Sequence, residues 1–305
     1  MSSALGEISK AVSDVAAMAA ASVVGIGRAG SGVVIGDGLV LTNAHNLRGP
    51  VNVTFADGRS AEGQLTGADI DGDLAVLSVP TAGVPGIEWP SAGGEPPVGA
   101  LVIALSRPRG GALRAGVGFV SGTGLAFRGP EGRTVNGAIE HSAQLPHGSS
   151  GGPLLDAEGR LVGLNTHRPG DGSYLAIPAG PDLKARVDAL AQGQSPRRAR
   201  LGVALAPPKV ARHLRRAVGL PDRDGLLVHD ISPDGPAGRS GLRQGDLIVA
   251  VDDNPVATVD DLAHALDGAI DRGSVRLVVV RGVEEVLVDV SFGTAGAGGG
   301  EEGTA

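Results

Sequence analysis

Between residues 22 and 180 the apolar positions fall in short runs, separated by glycine, aspartate and proline. Runs of that kind, closed by turn formers, predict strands rather than helices. SGVVI and LVLTNAH flank a Gly-Asp-Gly turn and form one hairpin, ending at His45; VNVTF and SAEGQLTGAD flank Ala-Asp-Gly-Arg and form a second. DLAVLSV, ALVIALS, GVGFVSG, RLVGLNT and LAIPA follow as further strands. Many short strands at regular spacing indicate a sandwich or barrel. Helical periodicity is left to the flanks, at residues 8–20 and at 181–192 (PDLKARVDALAQ), where a proline stands near the helix start.

The pattern changes after residue 191. Residues 192–200 are polar, contain Pro196 and read as a linker. From residue 201 a mixed unit begins: strand LGVAL, a helical stretch at 209–217, strands GLLVHDI and GDLIVAVDD, helix TVDDLAHALDGA, then strands SVRLVVVRG and EEVLVDVSF. The expected organisation is a helical segment at 1–21, a mainly β domain at 22–191, the linker, and a smaller α+β domain at 201–292. Residues 293–305 lack large apolar side chains and are expected to be disordered.

Composition narrows the function. The 305 residues include 51 glycines, which suits tight turns, and 26 basic against 33 acidic residues give a net charge of −7. A general polyanion binder is thereby excluded, and no nucleic-acid partner is expected. With no cysteine, disulfides and thiolate metal sites are impossible. Residues 15–26 (VAAMAAASVVGI) match the length of a signal-peptide core, but Glu7 and Asp14 precede them with only Lys10 as a cation, and no cleavage region follows. The stretch is also too short to span a bilayer. Neither a signal peptide nor a membrane anchor is expected, and the location expected is cytoplasmic. Arg197, Arg198, Arg200, Lys209, Arg212, Arg215 and Arg216 form a basic run without an acid. Since no aromatic residues stand between them for stacking, the run reads as a solvated linker and an exposed helix face.

The chemistry lies in three segments: TNAHN around His45, GDLAVL around Asp73 and His-Gly-Ser-Ser-Gly-Gly-Pro at 147–153. Residues 148–152 also satisfy G-x-S-x-G, but that motif belongs to a strand-turn-helix with histidine last in the chain. Here a strand-like hairpin follows the serine, and the order is His, Asp, Ser, the order of a chymotrypsin-type triad. A serine hydroxyl stays protonated at neutral pH, so it needs an imidazole to take its proton and a carboxylate to hold that imidazole's tautomer. The expected roles are Ser150 as nucleophile, His45 as general base and Asp73 as the orienting acid. Gly148 and Ser150 would supply the oxyanion-hole N–H groups, with Ser149 between them assisting. Ser149 also carries a hydroxyl, but one position too early, and it is expected to point away. Asp69 and Asp71 are expected to be solvated turn residues, because the calcium-loop positions after Asp69 carry Leu74 and Pro80 where glycine and glutamate are needed. His141, His147, His167, His213, His229 and His264 show no metal-ligand spacing, and no metal or cofactor is expected.

On SGVVI…LVLTNAH, DGDLAVL, GSSGGPLLDAEGRLVGLNT and LAIP, the chain resembles the trypsin-like protease domain of the bacterial HtrA/Deg family. GLLVHDISPDGPAGRSGLRQGDLIVAVDDNPVATVDDLAHAL resembles that family's PDZ domain. The resemblance covers roughly residues 20–292. It implies a chymotrypsin-like double β-barrel with the triad in the cleft between barrels, followed by a PDZ domain that captures polypeptide C-termini by strand addition. By the same resemblance Leu145, Thr166 and Arg168 line the specificity pocket, and Leu201, Gly202 and Val203 form the carboxylate-binding loop. Several positions depart from the family's pattern: Ser149 stands for an asparagine, Ser142 for an aspartate and Pro146-His147 for Asn-Pro. Arg168 replaces an apolar pocket residue. Family members are typically trimers built with N-terminal aromatics, which this N-terminus lacks, so a homo-oligomer is implied by the resemblance alone.

The function expected is a serine endopeptidase acting on unfolded or damaged polypeptides, with protein C-termini as partners of the PDZ domain. The competing readings are a PDZ-based binding or chaperone-like protein with a silent protease domain, and an esterase of small molecules. The complete set of triad residues favours the enzyme over the first, and the PDZ domain favours polypeptides over the second.

Overall fold

The computed structural model describes residues 4–28, 30–47, 49, 51–90, 95–128, 134–166, 172–196 and 199–292. The chain divides into two compact units, residues 1–196 and 197–305. That division falls inside the segment 192–200.

Unit 1 opens with α1 (Ala4–Ala19), which starts earlier than the 8–20 expected from periodicity. Two barrels follow. The first is built from β1 (Val23–Ile26), β2 (Gly30–Gly36), β3 (Leu39–Thr42), β4 (Val51–Thr54), β5 (Ser60–Asp69) and β6 (Leu74–Ser78), and closes in the order β1-β2-β3-β6-β5-β4. The second comprises β7 (Leu101–Ser106), β8 (Arg114–Arg128), β9 (Thr134–His141), β10 (Pro153–Leu155), β11 (Leu161–Asn165) and β12 (Tyr174–Pro178), closing as β10-β11-β12-β9-β8-β7. Neighbouring strands pair antiparallel throughout. The expected chymotrypsin-like double barrel is what the chain forms.

Strand periodicity explains which side chains face where. Val40 and Leu77 point into the first barrel with Val24, Ile26, Val34, Val53 and Phe55. Their neighbours Leu41, Leu74 and Val76 point outward into a second cluster that also holds Ile103, Leu105, Leu161 and Leu164 from the other barrel. Strands β3 and β6 are thus buried on both faces, which is why their sequences read as unbroken apolar runs. Helices α1 and α2 (Pro181–Ala191) cover that cluster with Val15 and Ala19, and with Leu183, Val187 and Leu190. Each buried valine or leucine among them contributes about 1.5–3 kcal/mol relative to exposure.

Strand β9 escaped the sequence reading. The apolar pattern predicts only GVGFVSG for its partner β8, but that strand continues to Arg128 through register shifts after Val120, Gly122 and Leu125. Bulges insert unpaired residues and break the two-residue alternation, so the pattern was lost where the strand went on.

Unit 2 is an antiparallel sheet of β13 (Val203–Leu205), β14 (Leu226–Ile231), β15 (Leu247–Val251), β17 (Ser274–Arg281) and β18 (Glu284–Ser291) in that spatial order, with β16 (Asn254–Pro255) pairing β15. Its helices are α3 (Pro208–Ala217), α4 (Pro236–Arg239), α5 (Val259–Ala265) and α6 (Ala269–Arg272). The single helix expected at 258–269 is two. Thr258 and Asp261 cap the start of α5 reciprocally, but Gly268 adopts φ 68°, which ends one helix and admits the next. The basic run also needs correction. Arg215, expected on an exposed face, is only 4% exposed, and one of its terminal nitrogens donates to the Pro221 carbonyl.

Candidate active site

His45 lies in a short helical turn directly after β3, and Asp73 in the turn before β6, the strand that pairs with β3. Adjacent strands therefore deliver the two side chains side by side. His45 Nδ1 stands 2.9 Å from both carboxylate oxygens of Asp73, and the His45 backbone N–H donates to Oδ1 at 3.1 Å. An ionised carboxylate only accepts, so Nδ1 faces it as the donor and Nε2 keeps its lone pair. The Thr166 hydroxyl completes the set, donating to Asp73 Oδ2 at 2.6 Å. Asp73 is 1% exposed.

Asp73 adopts φ 55°, and the loop before it is tied down accordingly. Asp69, expected to be solvated, is 3% exposed; it accepts from Arg186 of α2 at 2.6 Å and from the Gly72 N–H at 3.0 Å. The Asn43 side chain donates to the Asp73 carbonyl at 2.9 Å. Sequence alone missed this because the partner of Asp69 lies 117 positions away.

Ser150 sits in the turn between β9 and β10. Its hydroxyl donates to the Thr166 carbonyl at 2.8 Å, and no hydrogen bond joins it to His45 among the described residues. A rotation about its Cα–Cβ bond is the movement that would free it for an imidazole. The turn itself is shaped by Gly148 and Gly151, at φ 90° and 87°. Among the described residues the backbone N–H groups of Gly148 and Ser150 donate to no protein acceptor. Ser149 points inward, 4% exposed, with its hydroxyl bonded to the Pro146 carbonyl (2.7 Å) and the Ser106 hydroxyl (2.9 Å).

Leu145, Pro146, Gly148, Ser150, Thr166 and Leu175 are among the residues lining a cavity of about 90 Å³ beside the turn. Thr166 therefore does two things, lining the cavity and holding Asp73. Arg168 lies outside the described residues. In unit 2, Leu201, Gly202 and Val203 lead into β13, the edge strand. Gly202 has φ 76°, and its carbonyl accepts from Ser232 N–H at 2.8 Å, while that of Leu201 accepts from Ala237 N–H at 2.8 Å.

His141 is a further residue near the turn that spacing could not single out. It is fully buried on β9, its Nε2 3.0 Å from Asn165 Oδ1, and Asn165 Nδ2 in turn donates to the Gly152 carbonyl at 2.9 Å. Among the described residues its Nδ1 has no hydrogen-bond partner. Burial pushes its pKa down to about 4, against the opposing pull of the Asn165 bond and the Glu140 charge. The folded protein holds this ring neutral, whereas the unfolded chain protonates it near 6.5. Above pH 6.5 both states are neutral and the group costs nothing; as pH falls from about 6.5 to about 4, the unfolded state gains up to about 3 kcal/mol. Thermal unfolding of the wild type should therefore lose stability over that window more steeply than His141→Gln. Equal pH slopes for the two proteins would contradict it.

Two closed barrels, a His–Asp pair on the first and a Gly-Ser-Ser-Gly-Gly turn on the second define a trypsin-like serine peptidase, here followed by a PDZ domain. The comparisons agree: residues 30–164 match the trypsin-like peptidase domain family and residues 227–281 the PDZ domain family. The chain is 31% identical over 279 residues to the serine endoprotease DegS of Escherichia coli K12, covering 86% of this chain and 76% of that one. It is 34% identical over 275 residues to the putative serine protease HhoA of Synechocystis, covering 86% and 69%. The probable periplasmic serine endoprotease DegP-like of Halomonas elongata is 32% identical over 289 residues; there the match covers 90% of this chain and 60% of the relative's length. Among solved structures, the HtrA-type protease AlgW with decapeptide aligns with a TM-score of 0.61 and 25% identity, over 92% of this chain and 97% of that one. The chain belongs to the HtrA/Deg family of serine endoproteases. The cytoplasmic location expected from the sequence is overturned by these relatives, of which the DegP-like proteins are named periplasmic. Among the described residues no helix is long and apolar enough to cross a membrane.

Proposed function

We propose that this chain is a periplasmic serine endopeptidase that cleaves unfolded polypeptides, with Ser150 as nucleophile, His45 as general base and Asp73 as the residue that orients it. The observation that carries the reading is the His45–Asp73 pair joined through Thr166 to the Ser150 hydroxyl. In the reaction His45 Nε2 takes the Ser150 proton as Oγ attacks the scissile carbonyl, and returns it to the leaving amine. The developing oxyanion is received by the N–H groups of Gly148 and Ser150, which have no protein acceptor of their own among the described residues. Deacylation by water repeats the same proton transfers.

The cavity beside Ser150 supports a small aliphatic residue ahead of the cut bond. At about 90 Å³ it is smaller than the roughly 150 Å³ cavity that admits a benzene ring. Leu145 and Leu175 supply apolar wall, and the described lining residues, which include His147, contain no lysine or arginine to pair with an acidic side chain. In unit 2 the edge strand β13 leaves one side open to an added strand, and Leu201 and Gly202 lead into its first residue, Val203, which supports capture of a free C-terminal carboxylate by main-chain N–H groups.

Sequencing the products of an unfolded protein tests the cleavage reading. Valine, alanine and leucine should account for most residues before the cut. A majority of aspartate or glutamate there would contradict it and would place Arg168 in the pocket.

A further inference from the structure

Four of the carbonyls in the 148–152 turn are held, that of Gly152 by Asn165 of its own barrel and two others by the first barrel. The Ser149 carbonyl accepts from Gly152 N–H at 3.0 Å within the turn. The Ser150 carbonyl instead accepts from the Ser31 N–H of β2 at 2.9 Å and from Asn46 Nδ2 at 2.9 Å. The Gly148 carbonyl accepts from the Ser31 hydroxyl at 2.8 Å, and that hydroxyl accepts in turn from the Arg107 N–H at 3.0 Å.

A trans peptide places its N–H opposite its C=O, so fixing one end of the plane aims the other. The Ser150–Gly151 peptide is pinned at both ends: its carbonyl by Ser31 and Asn46 of the first barrel, its N–H by the Asn165 carbonyl of the second at 2.7 Å. Asn46 is itself held by the Thr42 hydroxyl, to which Nδ2 donates at 2.9 Å. Glycine is needed at 151, where the two barrels meet. A Cβ on Gly151 would lie 2.1 Å from the Ser31 carbonyl oxygen, and one on Gly30 would lie 2.5 Å from Asn46 Cγ. The close approach of Gly151 to Ser31 is thus built into the backbone.

We propose that Asn46 and Ser31 are positioning residues that hold the oxyanion turn of one barrel against the other, so that Ser150 and the two oxyanion N–H groups keep their reactive geometry. The inference rests on the reading of Ser150 as nucleophile. Neither side chain reaches the reacting atoms; both act through the turn. Their contribution is to transition-state alignment, so it should appear in kcat and not in ground-state binding.

Asn46 is the cleaner test, since its side chain is half-buried while Ser31 is fully buried. Asn46→Ala removes the donor. Asn46→Asp keeps the shape but turns an acceptor toward the Ser150 carbonyl. With a small ester and a peptide substrate, both variants should show kcat reduced roughly 10–100-fold, the scale of a small misplacement of reacting groups, with KM within about threefold of wild type. Their thermal midpoints should stay close to that of wild type. A kcat within about twofold of wild type in both variants overturns the proposal, as does a loss of activity that tracks a loss of folded protein. Ser150→Ala, measured alongside, separates the two claims. If it keeps wild-type turnover, the nucleophile reading fails; if it is inert while both Asn46 variants match wild type, the clamp alone fails.

Discussion

Ser150→Ala should lower kcat by about 10⁶-fold, or about 8 kcal/mol of transition-state stabilisation, and leave the fold intact. The hydroxyl is part-buried and makes one bond, to the Thr166 carbonyl, which alanine leaves free to find water in the adjoining cavity. Stability should therefore change little, while the covalent path disappears. Ser149 cannot substitute, because its hydroxyl is committed to Pro146 and Ser106 on the inner side of the turn. Turnover of a peptide substrate by the purified variant, set against its thermal midpoint, checks both halves of the expectation. Retained turnover would remove Ser150 from the mechanism.

Asp73→Asn carries the second-largest effect, about 10⁴-fold in kcat, as for the same change in a trypsin-type triad. The reason is tautomeric. In the wild type the carboxylate faces three donors: His45 Nδ1, the His45 backbone N–H and the Thr166 hydroxyl. An asparagine there has one acceptor oxygen and one NH₂. With the oxygen kept for the backbone N–H or for Thr166, the NH₂ faces His45 and makes Nδ1 an acceptor, which moves the ring proton to Nε2. Nε2 then has no lone pair to receive the Ser150 proton. Asn43 and Arg186, which hold the loop from outside the carboxylate, keep their bonds, so the fold should survive. Steady-state kinetics on Asp73→Asn decide it, and near-native kcat would transfer the orienting role elsewhere.

Local patterns made much of this molecule legible before any coordinates. The hairpins ending at His45 and Asp69 were readable because each turn carries its own glycine and aspartate. The segments around His45, Asp73 and Ser150 stand out together because His, Asp, Ser is the chain order of a chymotrypsin-type triad, and the structure pairs His45 with Asp73. What escaped detection is long-range or irregular. Strand β9 was hidden by the bulges of β8, and the division between α5 and α6 by a glycine that looked like a helix interior. Burial of Asp69 depends on Arg186, and the clamp at Ser150 depends on Ser31 and Asn46, partners separated from it by 119 and 104 positions in the first barrel. No spacing rule connects such residues; only closure of two barrels against each other brings them together. Location was misread for a different reason. The misreading rested on the lack of signal-peptide features at residues 15–26, which fold within α1 and β1 and the residues between them, and such a lack carries no information about the compartment.

The central claim is that one serine, activated by the first barrel, does the chemistry. It is tested most directly by treating the full chain with a fluorophosphonate and locating the adduct by mass spectrometry of the peptide spanning Gly148 to Gly152. The account predicts a single phosphonylated residue, Ser150, with labelling abolished in Ser150→Ala, retained in Ser149→Ala and strongly slowed in Asp73→Asn. An adduct on Ser149, or labelling that persists without the Ser150 hydroxyl, would contradict it.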